Sequence, residues 1–120
     1  MTDLLKGSLL LDKVAIVTGA GHPKGIGRAI ANAFQREGAI VVITDLAGAR
    51  GLEEAGGIAL DVTDPVQVDA AVKRIIDEHM KLDIVVNNAG VGVGSPDFLQ
   101  LSDQDWELSL NVNVRGVANV

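Results

Sequence analysis

The sequence predicts an α/β fold built on a doubly wound parallel sheet, and three observations predict it. Short apolar runs rich in Val and Ile recur along the chain, at residues 13–17, 40–43, 58–60 and 82–86. Between them the apolar residues space out to every third or fourth position, the period of an amphipathic helix. Small or hydrogen-bonding residues stand where each of these four runs ends: Thr18-Gly19, Thr44-Asp45, Asp61 and Asn87-Asn88. Strands that are apolar throughout are buried on both faces, which a parallel sheet with helices above and below provides. The order β-α-β-α-β-α-β-α gives an expected sheet order of 3-2-1-4.

Each element has its own signal. Lys13-Val14-Ala15-Ile16-Val17 is a buried strand that runs into a loop with Gly19 and Gly21. From Gly25 the period changes: Ile26, Ala29, Ile30, Ala33 and Phe34 share one face of a helix that Gly38 stops. Ile40 to Ile43 is the second strand, ending at Thr44-Asp45. The stretch from Leu46 to Gly57 has room for about two turns of helix around Leu52-Glu53-Glu54-Ala55. Ile58-Ala59-Leu60 is a short third strand. Thr63-Asp64-Pro65 starts the next helix, with Pro65 at its first position and Val68, Val72, Ile75 and Ile76 as its buried stripe. Leu82 to Val86 is the fourth strand, followed by Asn87-Asn88-Ala89-Gly90 and a Gly-rich loop. Ser102-Asp103-Gln104-Asp105 resembles a capping box opening a last helix, with Trp106, Leu110, Asn113, Val114 and Val117 on one face.

Composition narrows the functional classes. Ten basic and 16 acidic residues give a net charge of −6, which argues against nucleic acid or an anionic membrane as partner. There is no cysteine, so disulfides and thiolate metal sites are excluded. Phe34, Phe98 and Trp106 are the only aromatics, leaving the core to Val, Ile, Leu and Ala. The leucines before Leu11 are interrupted by Asp3, Lys6 and Gly7, unlike a secretory signal, and no apolar run reaches the ~18 residues of a membrane span. The expected location is cytoplasmic. Residues 1–10 are expected to form an N-terminal extension and 11–120 a single domain, incomplete at its C-terminal end.

The first strand–loop–helix junction reads Thr18-Gly19-Ala20-Gly21-His22-Pro23-Lys24-Gly25-Ile26-Gly27. A phosphate at a helix N-terminus needs free backbone N–H groups and close approach of the chain, which glycine permits. Neither the G-x-G-x-x-G spacing nor a Gly-Lys-Ser/Thr triplet is met, and a βα turn without ligand shares this composition. The later junctions add weight. Asp45 ends the second strand 18 residues after Gly27, where a carboxylate accepts both ribose hydroxyls of an adenosine. Its alternative is a helix cap, as it is for Asp61. His79 reads as a solvated residue at a helix end, and His22 has no partner at metal spacing, so no metal site is expected.

Thr18-Gly19 with Gly25-Ile26-Gly27, then Asp61-Val62, Asn87-Asn88-Ala89-Gly90 and Asn113-Val114-Arg115-Gly116 together resemble the short-chain dehydrogenase/reductase family, from about Leu11 onward. The resemblance implies the N-terminal half of a Rossmann fold, a nicotinamide cofactor, and hydride transfer between a carbonyl and an alcohol on a small-molecule substrate. It implies that Gly19, Gly25 and Ile26 line the pyrophosphate, while Gly27 lets the helix pack closely. Gly21 and Lys24 join them in the phosphate loop. Asp45 would hold the adenosine ribose, and Asp61 with Val62 would touch the adenine. Asn88, Ala89 and Gly90 would pass beneath the nicotinamide-side ribose. Asn113 is similar to the family's catalytic helix asparagine, whose main chain holds a proton-relay water. Asp45 repels a 2′-phosphate, so NAD is expected over NADP, although Lys24 sits where NADP enzymes of this kind carry a basic residue.

The sequence departs from the family in three places. Five residues rather than three separate Gly19 from Gly25. The second helix is short, which opens the adenine side. The family's Tyr-x-x-x-Lys and upstream serine are missing, since the chain holds no tyrosine. Two functions therefore stay open: an oxidoreductase continuing beyond Val120, and a non-catalytic nucleotide-binding or assembly module. The chain stops inside an amphipathic helix, so the first is the expectation, with a homo-oligomeric complete protein.

Overall fold

The computed structural model describes residues 7–92 and 97–120. The elements, in chain order, are β1 (Val14–Val17), α1 (Ile26–Arg36), β2 (Ile40–Asp45), β3 (Ile58–Ala59), α2 (Pro65–His79), β4 (Ile84–Val86), a 3-10 turn at Phe98–Gln100 and α3 (Asp103–Leu110). A π-turn at Asn111–Arg115 then leads into α4 (Gly116–Asn119). Residues 1–6 of the expected N-terminal extension and part of the Gly-rich loop after Gly90 lie outside the described residues.

The four strands form one parallel sheet in the order β3-β2-β1-β4, as the alternation of elements predicts. β1 pairs with β2 from Val14↔Ile40 to Val17↔Ile43 and with β4 from Ala15↔Ile84 to Val17↔Val86. Every residue of β1 is buried, because helices cover both of its faces. Its side chains alternate between two cores. Val14 and Ile16 pack with Leu60, Val62, Val68, Ala71 and Ile75, while Val17 packs with Ala20, Ala31, Ile43 and Leu52. No helix among the described residues is long and apolar enough to cross a membrane.

Helix ends follow their sequence signals. Asp64 caps α2 by accepting from the Val66 amide at 3.0 Å, with Pro65 in the first turn where a missing N–H costs nothing. The Ser102–Asp105 capping box is formed in both directions, at 3.1 and 2.9 Å.

Four expectations are corrected. No helix forms around Leu52–Ala55; residues 46–57 run as linked turns. Gly48, Gly51 and Gly56 take positive φ, and that left-handed backbone interrupts a helix at each step. On α1 the inward residues are Gly27 and Ala31 with Ile30 and Phe34 beside them, while Ile26 is 77% exposed and Ala29 is exposed. Close approach of the helix to the glycine loop turns its first turn toward the small residues instead of the large one. On α2, Val68, Ala71 and Ile75 are buried, whereas Ile76 is exposed at the stripe's edge. The last helix packs through Val112 and Gly116, and its expected face of Trp106, Leu110, Val114 and Val117 is exposed.

Candidate functional site

All four strands end at the same rim of the sheet, and there a cleft of about 560 Å³ opens. Gly19 and Ile26 from the first junction, Asp45 and Leu46 from the second, Leu60 to Thr63 from the third, and Asn88 to Val91 from the fourth line it. Leu108 and Val112 close the side beneath the last helix. A crevice beyond the carboxyl ends of the strands, at the point where strand order reverses, is where open α/β sheets bind ligands. Of the residues singled out from the sequence, Gly19, Ile26, Asp45, Asp61, Val62, Asn88, Ala89 and Gly90 line this one cleft. Gly21, Lys24, Gly25 and Asn113 stand behind or beside its wall.

The glycine loop is held from several directions. The Gly25 amide donates to the His22 carbonyl at 2.9 Å, and the Lys24 amide donates to His22 Nδ1 at 3.0 Å. Together these bonds fold the two extra residues into a local turn. The Lys24 side chain is exposed. Behind the loop, α1 begins with neither a side-chain cap nor an acidic residue in its first turn. The two other long helices are each capped by a side chain. The first turn of α1 thus retains both its positive dipole end and orphan amides.

Asp45 is fixed in place. Its Oδ2 accepts from the Gly21 amide at 2.9 Å and its Oδ1 from the Leu46 amide at 2.8 Å. Each carboxylate oxygen keeps capacity for a further hydrogen bond toward the cleft. Asp61 Oδ1 accepts from the Thr63 amide and hydroxyl at 2.9 and 2.7 Å, which shapes the turn before α2, while the helix cap itself is Asp64 rather than Asp61.

The Asn87–Gly90 segment is locked to the first junction by Thr18, a fully buried residue whose role was not legible in the sequence. The Thr18 hydroxyl accepts from the Asn88 and Ala89 amides at 3.2 and 3.1 Å. Asn88 Nδ2 donates back to the Thr18 and Gly19 carbonyls, both at 3.0 Å. Its side chain therefore faces the protein, and what the segment offers the cleft is backbone and Ala89.

Asn113 lies in the π-turn of the last helix, a distortion that recurs at functional sites. Its side chain pairs with the Val91 backbone in both directions, Oδ1 accepting at 2.9 Å and Nδ2 donating at 3.0 Å. A β-carbon on Gly90 would stand 3.2 Å from Asn113 Oδ1, so the helix and the fourth junction touch. Arg28 was also missed: its signal is a cation in the first turn of α1, the unfavourable end of the dipole.

A family model described as short chain dehydrogenase matches residues 13–120. The chain belongs to the short-chain dehydrogenase family. It is 38% identical over 122 residues to oxidoreductase UcpA of Escherichia coli K12, an alignment covering 92% of this chain and 44% of that protein. Among solved structures it resembles a short chain dehydrogenase from Mycobacterium smegmatis, with a TM-score of 0.84 and 35% identity over 95% of this chain and 52% of that one. A 3-ketoacyl-(acyl-carrier-protein) reductase from Brucella melitensis complexed with NADH gives the same TM-score at 38% identity, over 92% and 47% of the two chains. The chain thus spans about half the length of these relatives.

Proposed function

We propose that this chain is the cofactor-binding part of an NAD-dependent short-chain dehydrogenase that interconverts a carbonyl and an alcohol on a small molecule. The observation that carries the reading is the cleft itself, where Asp45 faces in beside an uncapped α1. The donor set fits a dinucleotide. The free amides of the first turn, with Gly19, Gly21, Lys24, Gly25 and Ile26 around them, suit a pyrophosphate. The Asp45 carboxylate suits the two hydroxyls of an adenosine ribose and repels a phosphate there. Asp61 and Val62 suit the adenine edge, with Leu60 and Leu108 as apolar walls. Asn88, Ala89 and Gly90 form the floor on the nicotinamide side.

A bound nicotinamide would supply the hydride acceptor or donor; Asn88, Ala89 and Gly90 would hold and orient it. Asn113 ties the floor to the last helix and thereby sets where its own backbone would hold a relay water. The base that the family resemblance implies, a tyrosine paired with a lysine, has no counterpart in residues 1–120, so we propose that residues 1–120 alone do not turn over substrate. In the complete protein we also propose a cytoplasmic location and a homo-oligomer; the exposed Trp106, Leu110, Val114 and Val117 support the association alone.

Titration of the full-length protein with NADH and NADPH tests the proposal. NADH is expected to bind more tightly, by about tenfold or more for one carboxylate facing a hydroxyl instead of a phosphate. Tighter binding of NADPH would overturn the assignment of Asp45, and binding of neither would overturn the proposal.

A further inference from the structure

Arg28 is half-buried at the start of α1 and directs its guanidinium at backbone. Nε donates to the Ala20 carbonyl at 3.1 Å, and Nη2 donates to the Gly21 carbonyl at 2.6 Å and to the Gly51 carbonyl at 2.9 Å. Ala20 and Gly21 belong to the glycine loop, whereas Gly51 belongs to the turns between β2 and β3. Arg28 therefore joins two segments that are remote in sequence.

The junction it closes is a direct backbone contact. A β-carbon on Gly51 would lie 2.4 Å from the Gly21 carbonyl oxygen and 2.7 Å from Pro23 Cδ, and Gly51 has φ +79°. On its other side the Gly21 peptide reaches the cleft, because its amide is the donor to Asp45 Oδ2 at 2.9 Å. A β-carbon on Gly21 would lie 2.9 Å from that same oxygen. The contacts run in one line: Arg28 holds Gly21 and Gly51, and Gly21 holds Asp45.

We propose that Arg28 is a positioning residue for cofactor selection, fixing the Asp45 carboxylate through Gly21; the inference rests on the reading of Asp45 given above. The terminal torsion of an aspartate is soft, so its orientation is set by whatever donates to it. With Gly21 held, Oδ2 receives one amide and its remaining lone pair points to the cleft. With Gly21 released, the carboxylate turns and no longer addresses two ribose hydroxyls at once. A planar guanidinium presents donors in a fixed fork that reaches three carbonyls, and the compact ammonium of lysine does not. The linked turns that replace a helix at residues 46–57 supply the third carbonyl, so this device depends on the feature in which the chain departs from the sequence expectation.

The test compares wild type, Arg28→Met, Arg28→Lys and Gly51→Ala as full-length proteins, titrated with NADH and with NADPH, with thermal unfolding of each as a folding control. Arg28→Met is expected to weaken NADH about tenfold and NADPH less, so that the preference for NADH narrows. Arg28→Lys recovers part of the preference, and Gly51→Ala narrows it by pushing the two segments apart. In an Asp45→Ser background, Arg28→Met leaves the ratio of the two affinities unchanged, because the group it positions is gone. A merely structural arginine would lower both affinities by one factor, or lower only the unfolding temperature, and either result overturns the inference. Wild-type preference for NADH combined with such a result leaves the Asp45 reading standing; wild-type preference for NADPH overturns both. Should Arg28→Met fail to fold, Arg28→Lys and Gly51→Ala decide by the same ratio.

Discussion

Individual side chains at this rim act mostly by holding backbone. Asn113 is the clearest case, since both ends of its amide are engaged with Val91, at 2.9 and 3.0 Å. In the proposed enzyme its contribution to turnover would therefore be geometric, through the helix backbone and the fourth junction, and its side chain makes no hydrogen bond to the Asp45 carboxylate's partners, Gly21 and Leu46. Asn113→Ala in the full-length protein is expected to lower kcat about 100-fold, the scale of a positioned proton relay, with cofactor Kd nearly unchanged. Normal turnover would return Asn113 to a purely structural role. At the opposite end of the sheet, Asp83 accepts from the Val14 amide at 2.8 Å and pairs with Lys81 at 3.1 Å. The Val14 hydrogen bond and then Lys81 hold the Asp83 carboxyl below the usual carboxylate range. A depressed folded-state pKa adds stability above the unfolded value and loses it as pH falls through the folded value. Asp83→Asn can still accept from Val14, so it removes only the titratable part. Denaturant unfolding from neutral to acid pH is expected to show wild type the more stable at neutral pH, the gap closing in acid. A gap independent of pH would refute the electrostatic account.

At the scale of elements, what the sequence revealed depended on how local the cause was. The capping box at Ser102 was legible because its partners are three residues apart, and it forms as read. Ser102→Ala is expected to cost about 0.5–2 kcal/mol of stability in the full-length protein, measured by urea unfolding. A change under a few tenths would mean that α3 is held by packing alone. The strands were legible for a similar reason, since a continuous apolar run admits few other fates in a small α/β domain. The turns at residues 46–57 were not legible: Leu52-Glu53-Glu54-Ala55 has good helix propensity, and three left-handed glycines around it decide otherwise. The inward face of α1 was legible in part: Gly27 packs closely as expected, against the Asn88 side chain and Ala20, whereas apolar periodicity also placed Ile26 and Ala29 inward and both are exposed. In the site, Gly19, Asp45 and Asn88 to Gly90 were recognisable from their places at strand ends. The roles of Thr18 and Arg28 were not, because their partners lie 68–71 residues and 7–23 residues away and are backbone groups that carry no sequence signature.

For the molecule as a whole, the sheet order determines how the chain behaves on its own. β1, in the centre, is fully buried, while β4 forms one edge and, among the described residues, pairs only with β1. β4 nevertheless has the composition of an interior strand, Ile84-Val85-Val86, and Val85 is 40% exposed. An apolar edge with unpaired N–H and C=O groups invites another strand. α3 and the π-turn after it add to this, since Trp106, Leu110 and Val114 are all exposed. Residues 1–120 also lack any tyrosine to serve as the proton-transfer group. Expressed alone, this chain is therefore expected to self-associate and to show no reductase activity, even where the cleft still takes up NADH. Sedimentation velocity across a range of concentrations, together with NADH oxidation assays on a panel of small carbonyl compounds, checks both parts. A cooperatively folding monomer would show that the β4 edge is protected after all. Turnover without a tyrosine would mean that another group in the cleft moves the proton, and the assignment of chemistry to residues outside this chain would fall.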